Sequence, residues 1–463
     1  MAGKVQSLRG TKDALPQETP KWRFVEGVAS QVAETYGFQE IRVPTIEKTE
    51  LFARSVGETT DVVQKEMYTF DAGRESITLR PEGTAGIVRA VIQNGLLGDA
   101  LPVKLYSFTS CFRRERPQAG RLREFHQFGL ECFGAEAPSQ DAEVIALAAR
   151  VLNDIGVGET ELQMNSIGCP KCRPAYNKKL VDYYRSHYDD LCETCKGRLE
   201  KNPLRLLDCK EEQCQPFKAD APRILDNLCE ECVDHFEGVK RNLDAMEIPY
   251  RVNPDIVRGL DYYTRTVFEF VSDKIGAQAT VCGGGRYDGL VEQMGGPPTP
   301  GLGFAMGIER LLMVMEANGL QFGEGRRCDL YIGSMGEEEN RVALALADKL
   351  RAQGTHVLVD TVGRGVKAQM KYANKMNASC SFVIGGNELQ KGEVGIKDMD
   401  SGETTAVKLD AAAIQKYLWD TRMSAAAGAK FTPPNIPEEE IISTYIFEIG
   451  KDRPLKERKQ DEE

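Results

Sequence analysis

Apolar positions recur along residues 20–36 as Trp22, Val25, Val28, Ala29 and Val32, roughly one side of a helix that Gly37 ends. Period-two alternation and β-forming residues then predict a strand over Glu40–Val43, stopped by Pro44. Two more follow over Val103–Arg113 and Glu124–Phe133, joined by a long loop. Extended segments resume at Arg258–Val271, and Gly301–Ala305 reads as a strand running directly into a helix that begins near Gly307. From Cys328 the pattern becomes regular, with strands at Asp329–Gly333, Thr355–Val359 and Ser381–Ile384 separated by helices. In the first of these helices Val342, Leu346 and Leu350 share one face, with Ala343 and Ala347 beside them. This predicts a compact α/β domain of about one hundred residues. After Leu418 the chain passes through Ala425–Lys430, Pro433-Pro434 and Glu438–Glu440, a composition that predicts linker and a partly ordered extension. No repeat of fixed period is present, which excludes solenoids and propellers.

At 463 residues the chain exceeds one hydrophobic core, so two or three domains are expected. Its 41% hydrophobic and 28% charged residues exclude disordered and membrane compositions. The N-terminus lacks the apolar run of a signal peptide, and no stretch approaches the ~18 apolar residues of a membrane span, so a cytoplasmic location and no membrane partner are expected. A net charge of −11 disfavours indiscriminate binding to polyanions, so any contact with RNA must be local.

In Phe125–Phe133 the period of two places Gln127, Gly129 and Glu131 on one face and Phe128, Leu130 and Cys132 on the other. An amide and a carboxylate separated by a glycine suit the lining of a polar cavity, although a solvent-exposed sheet face explains them equally well. The preceding loop carries Arg113, Arg114, Arg116, Arg121 and Arg123, with Pro117 and Gly120 to turn it and only Glu115 opposed. Forked guanidinium donors match phosphate oxygens, so a triphosphate or an RNA end is one partner for this loop and solvent is the other.

Phe112–Pro117 followed by Gly120–Phe128 resembles motif 2 of the class II aminoacyl-tRNA synthetases, and Gly301–Arg310 resembles motif 3. Leu79–Thr84 and Arg258–Phe268 resemble two signatures of the histidyl-tRNA synthetase family, and the likeness covers about residues 8–420. It implies an α+β catalytic domain on a mostly antiparallel sheet over residues 1–325, interrupted by a Cys-rich insertion at 169–245. It further implies an α/β anticodon-binding domain at 326–422, followed by a C-terminal extension at 423–463. The implied activity joins L-histidine to tRNA(His) through an adenylate made from ATP with Mg2+. Arg113 is then assigned to the α-phosphate of ATP and Arg310 to its triphosphate. Arg258 is the fixed cation against α-phosphate and carboxylate. Glu82, Gly83 and Thr84 receive the α-amino group, Gln127 and Glu131 continue that pocket, and Tyr262 and Tyr263 define the imidazole site. Family members are homodimers, and Gly37–Pro44 resembles the interface motif, with Pro44 as its proline. The run Cys282–Gly289 has glycines but no following Lys-Ser or Lys-Thr, so close backbone approach to ligand is expected in place of a phosphate loop.

Eight of the thirteen cysteines fall in four pairs: Cys169/Cys172, Cys192/Cys195, Cys209/Cys214 and Cys229/Cys232. The spacings suit tetrahedral thiolate coordination of two zinc ions, against the alternative of reduced thiols in a small helical module. Lys196, Arg198, Lys201 and Arg205 form a local basic group that suits either phosphates or solvent. The rival from another class is the catalytically silent, synthetase-like regulatory subunit of ATP phosphoribosyltransferase. Against it stand the intact Arg113, Arg258 and Arg310 and the C-terminal α/β pattern.

Overall fold

Helix α1, Thr19–Thr35, buries Val25, Ala29, Val32 and Ala33, while Trp22 and Val28 of the expected stripe pack against the core only partly buried. The computed structural model describes residues 4–57, 60, 62–98, 100–320 and 327–428. These fall into two units, Met1–Gly323 and Glu324–Glu463.

The main sheet of the first unit has eight strands, here numbered β1 (Gln39–Glu40), β2 (Val103–Phe112), β3 (Glu124–Phe133), β4 (Glu161–Ser166), β5 (Arg251–Val252), β6 (Thr264–Val271), β7 (Thr280–Arg286) and β8 (Gly301–Gly307). Their order is β1-β2-β3-β8-β7-β6-β4-β5. Only the two edge strands, β1 and β5, pair in parallel. All pairs between them are antiparallel. One sheet face is covered by α1 and by helices Pro138–Asp154 and Ile308–Ala317. Phe128, Leu130, Cys132, Leu302, Phe304 and Met306 are buried there.

Three segments depart from expectation. The strand at Glu40–Val43 is shorter, with only Gln39 and Glu40 paired and the Ile41 N–H still donating to Tyr106 O at 2.8 Å. Beyond it the buried Arg80 guanidinium takes Val43 O and Pro44 O at 2.9 and 3.3 Å, so these carbonyls leave the sheet, and Pro44 has no N–H to pair. Residues 258–263 form a loop, and pairing begins only at Thr264. The motif 3 strand runs on to Gly307 before its helix starts at Ile308.

The Cys-rich insertion is a set of helices, chiefly Arg173–Arg185, Glu193–Lys201 and Glu230–Ala245, with short 3-10 turns between them. Its own core contains Tyr176, Leu180, Tyr184, Leu199 and Ile224. The fully buried Arg286 ties it to the sheet. Arg286 Nε lies 3.2 Å from Asp141 Oδ2, and Asp141 Oδ1 lies 3.1 Å from His235 Nε2 on helix Glu230–Ala245.

In the second unit strands Leu330–Ser334, Val357–Val359 and Cys380–Ile384 are parallel, as the alternation implies. An antiparallel hairpin, Glu393–Asp398 and Thr404–Lys408, extends the sheet. The final helix, Ala411–Gly428, continues past Leu418 through the expected start of the linker, because the alanine-rich run there has high helix propensity. The remaining extension and the expected boundary at 325/326 lie outside the described residues.

Candidate active site

The face of the sheet opposite the core is open because its central residues are small. In register with Gly129 are Ser107 on β2, Ala305 on β8 and, one strand further, Gly283 on β7. Side chains flanking this row stand up around a cavity of about 250 Å³. Its lining includes Glu82, Gly83, Thr84, Arg113, Gln127, Glu131, Arg258, Tyr262, Tyr263 and Arg310, so the structure brings all ten single-residue candidates together. The eight paired cysteines lie in the insertion.

One end of the cavity is acidic. Glu131 is 3% exposed; Thr84 Oγ1 donates to its Oε1 at 2.6 Å and the Tyr287 hydroxyl donates to Oε2. Burial pushes the Glu131 carboxyl up to about 8, and the nearby charge of Glu82 adds to the shift against these hydrogen bonds. Gly303, its partner across the ladder, leaves room for it, since a Cβ there would stand 2.0 Å from Glu131 Oε2. Glu82 is also buried. Its carboxylate accepts the N–H groups of Thr84 and Ala85 at 2.8 and 2.9 Å, in the first turn of helix Thr84–Gln93. Burial raises its pKa above the ordinary carboxylate value, while the hydrogen bonds oppose the shift. Tyr262 and Tyr263 lie beside this end with ring centroids 4.6 Å apart, and Tyr287 meets Tyr262 edge-on at 5.6 Å. Gln127 Oε1 accepts from Cys111 Sγ at 3.4 Å.

The other end is cationic. Arg113 Nε donates to Pro81 O at 2.9 Å, and its guanidinium lies 5.2 Å from the Phe125 ring centroid. Arg310, in the first turn of helix Ile308–Ala317, donates to Gly120 O at 3.0 Å and to Thr280 O at 2.8 Å. Burial lowers its pKa, and the neighbouring charges of Arg121 and Arg113 lower it further. Glu115 binds Arg121 at 2.5 Å and faces Arg113 at 3.8 Å, partly neutralising this group. Arg258 lies between the two ends: it donates to Glu269, sits 5.6 Å from the Tyr263 ring centroid, and has a buried Nε without an acceptor among the described residues. Gly283 is the residue that admits it, since a Cβ there would lie 2.5 Å from Arg258 Nη2. The close approach expected over the glycine run is therefore filled at this position by the protein's own guanidinium. Charge attraction to Glu269 holds Arg258 cationic against the desolvation of its burial.

The sequence reading singles out neither Tyr287, which lines the cavity, nor Glu269, which holds Arg258. Tyr287 sits in a glycine block that draws attention to backbone, whereas Glu269 is a lone carboxylate in the otherwise apolar run Val267–Val271, a signal that was present.

In the insertion the cysteines form two groups: Cys169, Cys172, Cys229 and Cys232, and Cys192, Cys195, Cys209 and Cys214. Sγ separations include 3.8 Å for Cys169–Cys172, 3.7 Å for Cys169–Cys229 and 3.8 Å for Cys192–Cys209. Of the basic group, Lys196 pairs with Glu193 at 2.9 Å, and Arg205 turns inward to Arg258 O.

A family model described as histidyl-tRNA synthetase matches residues 10–171 and 191–311, and an anticodon-binding domain model matches 329–415. A histidine–tRNA ligase of Acetivibrio thermocellus is 53% identical over 406 residues, covering 88% of this chain and 97% of that protein. One from Clostridium perfringens is 52% identical over 408 residues, with the same coverage. The crystal structure of the apo histidyl-tRNA synthetase of S. aureus superposes with a TM-score of 0.76 at 38% identity, covering 90% of this chain and all of that one.

Proposed function

The chain belongs to the histidyl-tRNA synthetase family, and from that premise we propose how its cavity divides the work of a histidine–tRNA ligase. The observation that carries the division is the polarity of the cavity, with buried carboxylates at one end and guanidinium groups at the other. Histidine enters with its α-ammonium toward Glu82, Thr84 and Gln127. Its imidazole lies among Glu131, Tyr262 and Tyr263, whose polar atoms would be left unpaired by an apolar analogue. ATP arrives as its magnesium complex, so the ion belongs to the substrate, with the α-phosphate at Arg113 and the triphosphate at Arg310.

In the first step a carboxylate oxygen of histidine forms a bond to the α-phosphorus while the bond to the β-phosphate oxygen breaks and pyrophosphate leaves. Two anions meet, so alignment and fixed positive charge lower the barrier and no protein base is needed. Arg258, anchored by Glu269 with Nε still to donate, is placed to bridge carboxylate and α-phosphate. In the second step a terminal ribose hydroxyl of tRNA(His) forms an ester bond to the adenylate carbonyl carbon while the bond from that carbon to the phosphate oxygen breaks, AMP leaves, and the hydroxyl proton passes to the solvent. The assignment is tested by histidine-dependent exchange of pyrophosphate into ATP: exchange is expected, and its absence in an active preparation returns the regulatory-subunit reading.

The cysteine groups fit zinc. Four sulfurs at about 2.3 Å from a tetrahedral ion stand roughly 3.8 Å apart, the spacing seen in both groups. Zinc there would serve as a structural staple. Elemental analysis of chelator-free protein is expected to give two zinc per chain, and less than one would overturn the assignment.

A homodimer is supported by the exposure of residues 44–46 next to the edge strand β1. The thirteen free cysteines suit a reducing cytoplasmic setting, and no described helix is long and apolar enough to cross a membrane.

A further inference from the structure

The cavity has a second side. Loop 258–263 presents Arg258, Tyr262 and Tyr263 to it, yet has no ladder partners of its own until Thr264. Its back is held by three side chains of the Cys-rich module. Arg173 Nη2 donates to Tyr263 O at 2.7 Å, Arg205 Nη1 donates to Arg258 O at 3.1 Å, and Asn202 Nδ2 donates to Asp261 Oδ1 at 2.6 Å. Each holder is tied in sequence to a cysteine group. Arg173 follows Cys172 directly, and Asn202 and Arg205 lie on the short stretch between Cys195 and Cys209. Asp261 is also fixed from the catalytic side. Its N–H donates to Val56 O at 3.2 Å, and Gly57, at φ 100°, leaves room where a Cβ would come within 2.5 Å of Asp261 Oδ2.

We propose that Arg173, Asn202 and Arg205 are positioning residues that set the affinity for histidine through the backbone of loop 258–263, and that the two thiolate groups fix them in place. This rests on the assignment of Tyr262 and Tyr263 to the histidine site. A free loop must lose backbone entropy when substrate orders it, and three hydrogen bonds made in advance remove that loss from binding. The effect falls chiefly on histidine, because the ATP end is built mainly from Arg113 and Arg310 on other elements, and the guanidinium of Arg258, the loop's one group toward the α-phosphate, is held separately by Glu269.

The test uses the full chain carrying Asn202→Ala and Arg205→Ala together. The dissociation constant for L-histidine, measured by calorimetry without ATP, is expected to rise about tenfold. KM for histidine in pyrophosphate exchange rises in parallel, while KM for ATP and zinc content hold, and Arg205→Lys recovers part of the loss. An affinity within about twofold of the parent in folded, metal-loaded protein overturns the proposal. Where the double variant loses metal or fails to fold, Asn202→Asp decides: its carboxylate opposite Asp261 must weaken histidine binding more than Asn202→Ala does, and equality of the two overturns it. Tyr263→Phe and Glu131→Gln separate the two levels. If they also leave histidine affinity unchanged, the histidine-site assignment fails; if they weaken it while the module variants do not, only the positioning role fails.

Discussion

Glu131 and Cys195 each present a polar atom in a closed space, one from a ten-residue strand and the other from a nine-residue helix. Around Glu131 the ladder fixes the backbone on both sides, and the reverse face is anchored by Phe128 and Leu130 in the main core. The carboxylate is held by register, with Thr84 and Tyr287 completing its environment. Around Cys195 the helices are short, the turns between them are 3-10, and the core is small. Helices of this length are marginal by themselves, so the proposed zinc would supply part of the order of the module. On the proposed reading, a binding site carried by a sheet stands without its ligand, beside a support whose own geometry is conditional on a metal.

The strongest challenge to the sheet-borne half is Arg258→Ala. Pyrophosphate exchange is expected to fall about 10²–10³-fold, with histidine affinity falling less, since the guanidinium acts where charge develops. Near-normal exchange would refute the role, and Arg258→Ala combined with Glu269→Gln should recover stability lost to the unpaired carboxylate but no exchange. On the conditional half, Cys195→Ser is expected to lower zinc content from about two to about one per chain. It should also add an early transition to the melting curve; an unchanged single transition with full metal would place the staple elsewhere.

Two glycines sharpen the account of the floor. A Cβ on Gly303 would meet Glu131 Oε2 at 2.0 Å and Leu130 O at 2.3 Å, and this backbone cannot yield. Gly303→Ala should therefore cost about 1–3 kcal/mol in urea unfolding. A Cβ on Gly129 would stand 3.4 Å from Ser107 Oγ, so Gly129→Ala should stay within about 0.5 kcal/mol while raising a substrate KM by filling the floor. The reverse order would show that the floor is not formed as described.

The last test concerns pH. Glu131 titrates near 8 in the folded protein and near 4.5 when unfolded. Between these values the folded state holds the extra proton, so stability declines as pH rises through about 8. Glu131→Gln should remove this decline, giving a melting temperature that gains on the parent from pH 6 to 9 even as histidine binding weakens. Parallel melting curves for the two across that range would show that the carboxyl is not held protonated.

Much of this was legible from spacing. The alternation in Phe125–Phe133 assigned Gln127, Gly129 and Glu131 to one face, and Gly301–Ala305 read as the strand entering a helix, because strand period and glycine placement are local properties. The hairpin after Ile384 was not legible, since Glu393–Asp398 and Thr404–Lys408 are short and mostly polar, and only pairing with Cys380–Ile384 makes them a sheet edge. Nor was the helix through Ala425 anticipated, where a run of alanines was read as linker.

By itself the sequence determined the family, the types of group available for chemistry, and the two faces of each strand, because these depend on identity and on a period of two or 3.6 residues. Tertiary structure alone decided that Gly283 makes room for Arg258, that Tyr287 completes Glu131, that the cysteines divide into 169/172/229/232 and 192/195/209/214, and that Arg205 faces inward. Those are meetings between segments far apart in the chain, and no local spacing encodes the register that brings them together.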